Sequence, residues 1–416
     1  MNRLAAPIMA IIAAMLLQGC GGAATSASAP ANVTVGAGDS SLTVSWDMLP
    51  GVTYSLYKAA GNNVTPENCN ALPQCNINLN AVSPTVITGL TNGTTYSVTI
   101  NGRVSGGIGG PASSSLSAIP RLAGASWSAG QTTVTGTNNL RGVTFGGALF
   151  VAVGDGGKIF SSPDGTSWTA QTSNVSNNLN AVAYSNGIYM AVGAGGMVLS
   201  SSNAITWTQQ TSATLANTNE LFAVAGNGAG GFVATGASGT IITTANSGTN
   251  WTLVTPAVTG NKLNGIAFGN GKYVAVGTLG TLLTSTDGSA WLTGNSQTAS
   301  TLNGVAYAAS TTTDAGVTYT GASTFVVIGA GGTLVTSPDA VTWTLQATPI
   351  PSPNLNALTY GRQFVAVGDN GGIFTSTDGI NWNTQASVTP ASLFAVTHNV
   401  YDYSAVGAAG LNFFAM

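Results

Sequence analysis

The sequence predicts an all-β protein with two domains, the second of which is built from repeats. Apolar and polar residues alternate over short runs, as they do in half-buried strands. Turn-forming pairs such as Asn-Gly and Asp-Gly separate the runs, and the chain contains 56 glycines. From residue 127 onward one pattern of short runs recurs in seven units, which indicates one small antiparallel sheet in each unit.

The composition argues against one class of partner. Only 5% of the residues are charged, whereas about 25% is typical of globular proteins. The chain has nine Lys and Arg residues and a formal net charge of -3. A protein that binds phosphates needs a basic surface to neutralise them. We therefore expect no nucleic acid partner.

The start of the chain predicts export. Its apolar run of about a dozen residues is too short to cross roughly 30 Å of hydrocarbon. The run ends in Leu17-Gln-Gly-Cys20, which resembles the lipidation motif of bacterial lipoproteins. The resemblance implies a signal peptide over 1–19, lipidation of Cys20 and, because Gly21 follows, the outer membrane of a Gram-negative cell envelope. A secretory signal that is cleaved nearby is the alternative. Small residues over 20–31 indicate a flexible tether.

Residues 32–120 predict a β-sandwich, because about seven short strands separated by turns fill this stretch. Trp46 ends the run Leu-Thr-Val-Ser-Trp, and Tyr96 follows Leu90 by six positions. These residues resemble the core tryptophan and the corner tyrosine of fibronectin type III domains. The resemblance implies that fold, with the Tyr96 hydroxyl bonded to the backbone upstream.

Cys69 and Cys75 lie in one loop of this first domain. An exported domain favours disulfides, and two thiols remain once Cys20 is acylated. We expect a disulfide that closes a loop of about seven residues and contributes roughly 2 kcal/mol.

Residues 125–416 predict a seven-bladed β-propeller. The repeat spacing is close to that of propeller blades, and the units begin at Leu140, Leu179, Leu221, Leu263, Leu302, Leu355 and Leu393. The last unit ends before it reaches a tryptophan, and Trp127 precedes the first unit. We therefore expect the strand near Trp127 to complete the last blade, so that strands from both ends close the ring. An open superhelix is the alternative.

The turn Ser162–Trp168 and its counterparts resemble the Asp-box of BNR repeats. The repeat as a whole resembles the propellers of photosystem II stability/assembly factors. The resemblance implies that the aspartate caps its own turn and that the tryptophan packs between blades. It assigns structural roles to Asp164, Asp287, Asp339 and Asp378.

Asp-box repeats also occur in sialidases, so a glycoside hydrolase is one hypothesis. That chemistry resembles an arginine cluster with a tyrosine nucleophile and a glutamate. Here Arg121, Arg141 and Arg362 fall in separate parts of the pattern, and Glu220 is the one glutamate of the repeats. His398 has no nucleophile motif or metal ligands around it and is expected to be a partly buried strand residue. We expect no enzyme, no cofactor and no metal.

One rim of the propeller is the candidate ligand site, around the mouth of the central channel. The alternation of the strands places there the second residue of each inner strand and the turns between second and third strands. The candidate residues are Arg141, Asp155, Glu220, Asp369, Asn180, Asn264, Asn303 and Asn356. Arg141, Asp155 and Asp369 break the repeat, and we expect Arg141 to pair with Asp155. Alternatively, the repeated asparagines satisfy backbone groups.

These features predict a lipid-anchored envelope protein whose propeller binds protein or glycan. An assembly or stability factor for a membrane complex is the alternative, which the family resemblance implies. The insertion over 308–323 extends the opposite rim and is either a contact site or a tolerated insertion.

Overall fold

The computed structural model describes residues 26–415, apart from 39, 105–106, 122–123, 125, 131–137, 212–214, 216–218, 310, 315–316, 321–322, 348–349 and 400–401. The chain divides into two compact units, the first ending at Arg121 and the second beginning at Leu122. The elements of the described residues are β-strands and one-turn 3-10 helices, so the predicted all-β class is confirmed. Among these residues no helix is both long and apolar enough to span a membrane. The predicted signal, Cys20 and the tether up to residue 25 lie outside the described part of the chain. Of the remaining tether residues, Ser26 forms a β-bridge with Arg103 and Ala27 is 5% exposed.

The first unit contains two antiparallel sheets. The smaller sheet has the order β1-β2-β5, and the larger has the order β4-β3-β6-β7. The strands are β1 (Thr34–Gly38), β2 (Ser41–Ser45), β3 (Val52–Ala60), β4 (Asn76–Ala81), β5 (Thr85–Ile87), β6 (Tyr96–Val104) and β7 (Leu116–Ala118). β3 and β6 pair over nine residues and form the centre of the larger sheet.

The core of this unit contains the two aromatic residues that the sequence singled out. Trp46 is 5% exposed, and its ring meets that of Tyr54 edge-on at a centroid distance of 5.7 Å. Tyr96 is fully buried, and its hydroxyl accepts a 3.1 Å hydrogen bond from the Thr91 backbone N–H, five residues upstream. The expected backbone contact of this tyrosine is thus present.

The predicted disulfide is also present. Cys69 and Cys75 are joined, with 5.4 Å between their Cα atoms. Cys69 lies in a short 3-10 helix, Cys69–Ala71, and is fully buried. It packs with Ala59 and Val64, so the bridge fixes the loop against the larger sheet.

The described residues of the second unit form seven four-stranded antiparallel sheets, which we call blades 1 to 7 in the order of their first strands. Blades 1 to 4 are β9 (Leu140–Gly146), β10 (Leu149–Gly154), β11 (Ile159–Ser162) and β12 (Thr169–Gln171); β13 (Leu179–Ser185), β14 (Ile188–Gly193), β15 (Val198–Ser201) and β16 (Thr208–Gln209); β17 (Leu221–Gly226), β18 (Phe232–Gly236), β19 (Ile241–Thr244) and β20 (Thr252–Leu253); β21 (Leu263–Gly269), β22 (Lys272–Gly277), β23 (Leu282–Ser285) and β24 (Leu292–Thr293).

Blades 5 and 6 are β25 (Leu302–Ala308), β28 (Thr324–Gly329), β29 (Leu334–Ser337) and β30 (Thr344–Leu345), then β31 (Leu355–Tyr360), β32 (Phe364–Gly368), β33 (Ile373–Ser376) and β34 (Asn383–Thr384). Blade 7 is β35 (Leu393–His398), β36 (Tyr403–Gly407), β37 (Asn412–Ala415) and β8 (Ser128–Ala129). The insertion of blade 5 forms a separate hairpin, β26 (Thr311–Asp314) and β27 (Val317–Thr320).

Blade 7 takes its strands from both ends of the unit. Its fourth strand, β8, pairs with the last strand, where Phe413 lies opposite Ala129 and Phe414 opposite Ser128. Each inner strand contacts the inner strand of the next blade, and β35 of blade 7 contacts β9 of blade 1. The inner strands thus form a closed ring.

Aromatic residues fill the space between blades. Trp207 of blade 2 packs with Tyr189 of its own blade and with Val151 and Val153 of blade 1. Trp127 packs in the same way on Val365 of blade 6. Most of these tryptophans also donate from the indole N–H to the backbone carbonyl three residues earlier, as Trp207 does to Ala204 at 3.1 Å. Burying a large aromatic residue at each interface holds neighbouring sheets together.

Candidate binding site

The mouth of the channel lies where the inner strands begin. Leu140 pairs with Gly154, and Leu263 pairs with Gly277, so each inner strand starts beside the end of the second strand. The turns between second and third strands therefore lie at this end. A cavity of about 280 Å³ opens here, and its lining residues are Arg141, Asn180, Glu220, Phe222, Lys262, Asn264, Asn303, Asn356 and Phe394.

The four asparagines of this set each join two blades. The side chain amide of Asn303 donates to the carbonyl of Leu355 at 2.9 Å, and Leu355 is the first residue of the next inner strand. Asn180, Asn264 and Asn356 do the same to Leu221, Leu302 and Leu393. We call these four contacts the asparagine clamps. The amide groups of these asparagines thus satisfy backbone carbonyls, which is the alternative role that the sequence left open.

Three of the clamps also use their amide group for a second contact. Asn180 donates to Glu220 Oε1 at 3.0 Å, Asn264 to Asn303 Oδ1 at 3.3 Å, and Asn356 to Asp369 Oδ1 at 3.1 Å. The polar ring is therefore largely satisfied from within. A ligand at the mouth would meet mainly the side chains that do not clamp.

Asp369 is held firmly in this network. Burial alone would raise the pKa of its carboxyl group, but hydrogen bonds from Asn354, Asn356 and Ser392 outweigh burial and lower the pKa. The Asn354 amide donates to Oδ2 at 2.8 Å. Asp369 was predicted from the sequence as a candidate ligand contact. In the structure its carboxyl group accepts hydrogen bonds from other residues of the mouth.

The clamp position of blade 1 carries Arg141 in place of asparagine. Its Nε donates to Asp155 Oδ1, so the pair expected from the sequence is present. Asp155 Oδ2 also accepts from the Asn139 backbone N–H at 3.2 Å. The Arg141 side chain is 37% exposed, and no described residue accepts a hydrogen bond from its two Nη groups. The pair orients the guanidinium and leaves two donor groups for another molecule.

The clamp positions of blades 3 and 7 carry Phe222 and Phe394, whose side chains have no hydrogen-bonding group. The ammonium of Lys262 lies over the Phe222 ring at 3.7 Å from its centroid, an attractive cation–π contact. Within the described residues Lys262 forms no ion pair. Lys262 was not predicted from the sequence, although it stands at the repeat position that Glu220 occupies one blade earlier.

Leu279 is a second residue at the mouth that was not predicted from the sequence. It is 70% exposed and has a φ of 55°, a left-handed conformation that disfavours a large side chain. The equivalent positions are Gly156, Gly195, Ser238, Gly331, Asn370 and Ala409. The turn lies beside Lys262, because the Thr278 N–H donates to the Lys262 carbonyl at 2.9 Å. An exposed apolar side chain thus stands next to the cation at the mouth.

The predicted Asp-box aspartates have the structural geometry expected of them. Asp287 Oδ1 accepts from the backbone N–H groups of Ser289 and Ala290 at 2.7 and 2.8 Å. These hydrogen bonds lower the pKa of Asp287 more than burial raises it. The other three form equivalent turns, at Asp164, Asp339 and Asp378. In blade 2 the same turn is capped by Asn203.

Two other sequence candidates lie away from the mouth. His398 ends β35 at the opposite end of its blade, where it shares a 2.9 Å hydrogen bond with Thr359, and burial lowers its pKa to about 4. Its imidazole is therefore neutral at pH 7, and the residue lies in a strand, as expected. Arg362 lies between β31 and β32, also at the opposite end from Arg141.

Comparison with protein families identifies two domains. The fibronectin type III domain matches residues 28–119, and the DUF6242 beta propeller domain matches residues 89–222. The second match begins inside the first structural unit, whose last strands are β6 and β7, whereas the sheets of the propeller begin at Ser128. We place the boundary where the structure divides, because β6 and β7 pair within the sandwich. No curated protein sequence matches the chain.

Solved structures share the architecture of the second unit. The chain resembles "YCF48 bound to D1 peptide", with a TM-score of 0.54, 20% identity, and coverage of 69% of this chain and 96% of that one. It also resembles YCF48 from Cyanidioschyzon merolae, with a TM-score of 0.53, 16% identity, and coverage of 69% and 98%. Streptogramin B lyase gives a TM-score of 0.57 at 11% identity, with coverage of 70% and 97%. At these identities the likeness shows the fold. The chain therefore combines a fibronectin type III domain with a β-propeller.

Proposed function

We propose that this protein is a non-enzymatic binding protein whose propeller recognises a segment of a partner protein at the channel mouth. The observation that carries the proposal is the set of residues that depart from the asparagine clamps. Arg141, Phe222 and Phe394 stand at clamp positions and line one cavity together with Lys262. A position that gives up a hydrogen bond between blades has another use for its side chain.

The chemistry of these residues suits a polypeptide. Arginine and aromatic side chains are enriched at the centre of protein interfaces. Arg141 and Lys262 offer donors for backbone carbonyls or a carboxylate, and the exposed Leu279 offers an apolar contact beside them. The carboxylates of Asp155, Glu220 and Asp369 each accept hydrogen bonds from neighbouring residues. They hold the frame of the mouth and leave the cationic and apolar groups to contact the partner.

The comparisons give independent support for a protein ligand. One similar propeller is described as bound to a peptide. The repeats also resemble those of photosystem II stability/assembly factors. An assembly or stability factor for a membrane complex is therefore the second candidate, and it is a special case of binding a protein segment. A glycan at the mouth is the remaining form of the binding hypothesis.

Hydrolase chemistry of the sialidase type finds no support in the positions of the basic residues. Arg141 and Arg362 lie at opposite ends of the blades. Glu220 at the mouth is hydrogen-bonded to Asn180, a clamp residue. The similarity to a lyase rests on 11% identity, which carries the fold and no activity.

We also propose that the protein is anchored to the outer membrane by a lipid on Cys20. The sequence motif supports this proposal. Expression of the Cys20→Ala variant tests it, with the expected result that the protein moves from the membrane fraction to the soluble fraction. Surface proteolysis of intact cells then distinguishes an outward-facing binder, which is cleaved, from a periplasmic assembly factor, which is protected. A variant that stays in the membrane fraction contradicts the lipid anchor.

Site-specific photo-crosslinking in the native cell tests the binding function. A benzoylphenylalanine at position 394 places the crosslinker at the mouth, and the same residue at Ile380, 48% exposed at the opposite end of blade 6, is the matched control. We expect a discrete protein adduct from position 394 that weakens when Lys262→Met is added. Adducts from position 380 alone, or adducts that ignore the Lys262 change, would contradict the proposal. Silence at 394 with a positive result on a glycan array would replace the protein ligand by a glycan.

A further inference from the structure

Blade 3 departs from the repeat in two loops at the end opposite the mouth. Five residues, 227–231, connect β17 to β18, whereas two residues connect the corresponding strands in blades 1, 2 and 4. The turn between β19 and the following tryptophan, Ala245–Asn250, is one residue longer than the turn Thr286–Ala290 of blade 4. Both changes fall on the side of blade 3 that faces blade 4, where the two loops and blade 4 border a cavity of about 360 Å³.

A buried tyrosine, Tyr273, lines this cavity. Tyr273 is the second residue of β22, the second strand of blade 4, and is 2% exposed. The equivalent Tyr189 and Tyr403 donate their hydroxyl groups to carbonyls of the preceding blade's first hairpin, at Gly146 and Gln363. The lengthened hairpin of blade 3 removes this partner, and no hydrogen bond from a described residue reaches the Tyr273 hydroxyl. The hydroxyl can therefore donate and accept hydrogen bonds to a ligand or water in the cavity.

The groups around this hydroxyl are neutral and polar, apart from one carboxylate. Asn227 Oδ1 accepts from the N–H groups of Ala229 and Gly231, which leaves its amide donors for another molecule. Asn246 Oδ1 accepts from Thr244 and Asn250, and its amide donors are left in the same way. The pocket therefore presents two amide donors that the protein fixes by their oxygen atoms.

Asp287 adds an acceptor on the blade 4 side. Its Oδ1 takes the hydrogen bonds of its own turn, and Oδ2 receives none from the described residues. No lysine or arginine lines the cavity, so an anion finds no partner there. The described residues also contain no group of three His, Cys, Asp or Glu side chains suited to a metal ion. Few apolar side chains border the cavity, which disfavours an apolar ligand.

We propose that this inter-blade pocket, formed by Asn227, Thr244, Asn246, Asn250, Tyr273 and Asp287, binds a ring of a neutral saccharide. Vicinal hydroxyl groups pair with an amide donor on one side and a carboxylate acceptor on the other, and the Tyr273 hydroxyl can serve as either. The cavity of about 360 Å³ falls near the lower end of small-molecule sites, roughly 300–1,000 Å³. The site is at the opposite end of the blades from the mouth, so it is independent of the proposed protein contact.

The Tyr273→Phe variant tests this pocket without disturbing the fold. Phe150, Phe232, Phe325 and Phe364 occupy the same position in four other blades. Tyr189→Phe is the matched control, because it removes the same hydroxyl from a blade that lacks the pocket. Methyl glycosides of glucose, galactose, mannose and N-acetylglucosamine, with the disaccharides lactose, maltose and cellobiose, serve as probes. Binding is followed by saturation-transfer NMR and by tryptophan fluorescence, since Trp291 lies 6.4 Å from the Tyr273 ring.

We expect at least one probe to bind the full-length protein and Tyr273→Phe to weaken that probe by roughly three- to tenfold, the effect of one hydrogen bond. Tyr189→Phe and the mouth variant Lys262→Met should bind the probe as the unchanged protein does. Absence of binding by every probe would overturn the proposal. Equal affinity of the unchanged protein and Tyr273→Phe would also overturn it, and loss of binding in Lys262→Met would move the saccharide to the mouth.

Discussion

Two arcs of the channel mouth share one repeat and differ at one position. In blades 4, 5 and 6 the second residue of the inner strand is Asn264, Asn303 or Asn356, and each clamps the next blade. We call this the clamped arc. In blades 7, 1 and 3 the same position is Phe394, Arg141 or Phe222, and we call this the open arc. Asn180 of blade 2 keeps its clamp within the open arc.

The difference separates structure from function within a single ring. In the clamped arc the asparagine amides donate hydrogen bonds to carbonyls of neighbouring blades, which are buried and need a partner. The open arc forgoes these bonds and places a guanidinium and two aromatic rings at the cavity instead. Natural proteins break a repeated local rule mainly at functional sites, where the stability lost is recovered elsewhere in the fold. The open arc is where we expect a partner to bind.

Removal of two clamps should have the largest effect on stability. In Asn264→Ala/Asn303→Ala, the Leu302 and Leu355 carbonyls lose their side chain donors, which should cost about 2–4 kcal/mol in the free energy of unfolding. Denaturant unfolding followed by tryptophan fluorescence measures this cost. Crosslinking at position 394 should persist in the folded variant.

The control for the clamp experiment is Asn177→Ala. This exposed asparagine also donates to a backbone carbonyl, that of Ala194, but it lies on the surface of a turn. Its loss should change the free energy of unfolding by less than about 0.5 kcal/mol. If the control and the double clamp variant lose the same amount, the clamps are not special and the comparison between the arcs fails.

Removal of the cations of the open arc should reverse this pattern. Arg141→Gln and Lys262→Met should each reduce partner crosslinking about tenfold, as expected for central interface residues. They should change stability by less than about 1 kcal/mol, because the partly exposed Arg141–Asp155 ion pair contributes little and Lys262 forms no ion pair within the described residues. Lys158→Met, on the same rim and outside the cavity, is the control and should leave crosslinking unchanged. Full crosslinking in both open-arc variants would place the partner elsewhere.

A smaller effect should appear in the acid range. Asp369, which Asn356 of the clamped arc holds, has its pKa lowered in the folded state. Its ionised form therefore stabilises the fold above the unfolded value of about 3.8, and this contribution disappears as the pH falls through the lower folded value. Asp369→Asn should weaken the acid loss of stability by some tenths of a kcal/mol up to about 1 kcal/mol.

Asp402 provides an opposite-sign control for the acid experiment. Burial raises the pKa of its carboxyl group, and this effect outweighs the hydrogen bond from Asn399, which lowers the pKa. The folded state then binds a proton more readily than the unfolded chain, so this group favours folding as the pH falls toward 3.8. Asp402→Asn should therefore make the acid loss steeper. Unfolding midpoints measured from pH 7 down to acid conditions should show the two variants on opposite sides of the unchanged protein.

Most of the architecture could be predicted from the sequence, because the same pattern of strands and turns recurs in every unit of the propeller. The inner strands begin at the leucines that define the units, and the strand after Trp127 pairs with the last strand. In the first unit the sequence pattern is weak at β4 (Asn76–Ala81), because this strand is exposed over most of its length. Each tryptophan lies just before the fourth strand of its blade.

The candidate site was predicted only in part. Comparison of equivalent positions found Arg141 and the asparagines, but the number of bonds each amide makes depends on distances between blades. Lys262 was not predicted, although Glu220, at the same repeat position one blade earlier, was. Leu279 stands out only once the left-handed backbone conformation of its turn position is known, and the structure is what shows this conformation. The inter-blade pocket needs the two lengthened loops of blade 3 to meet Tyr273 and Asp287 of blade 4 at one place, and only the folded structure shows this meeting.

An installed clamp tests the central claim most directly. In Phe222→Asn the new amide can reach the Leu263 carbonyl in the way that Asn264 reaches Leu302, whereas Phe222→Ala loses the same ring and gains no donor. Unfolding free energies of the two variants are compared under identical conditions. We predict that Phe222→Asn is more stable than Phe222→Ala by about 1 kcal/mol, the net value of one buried hydrogen bond. Equal stability of the two variants would contradict it.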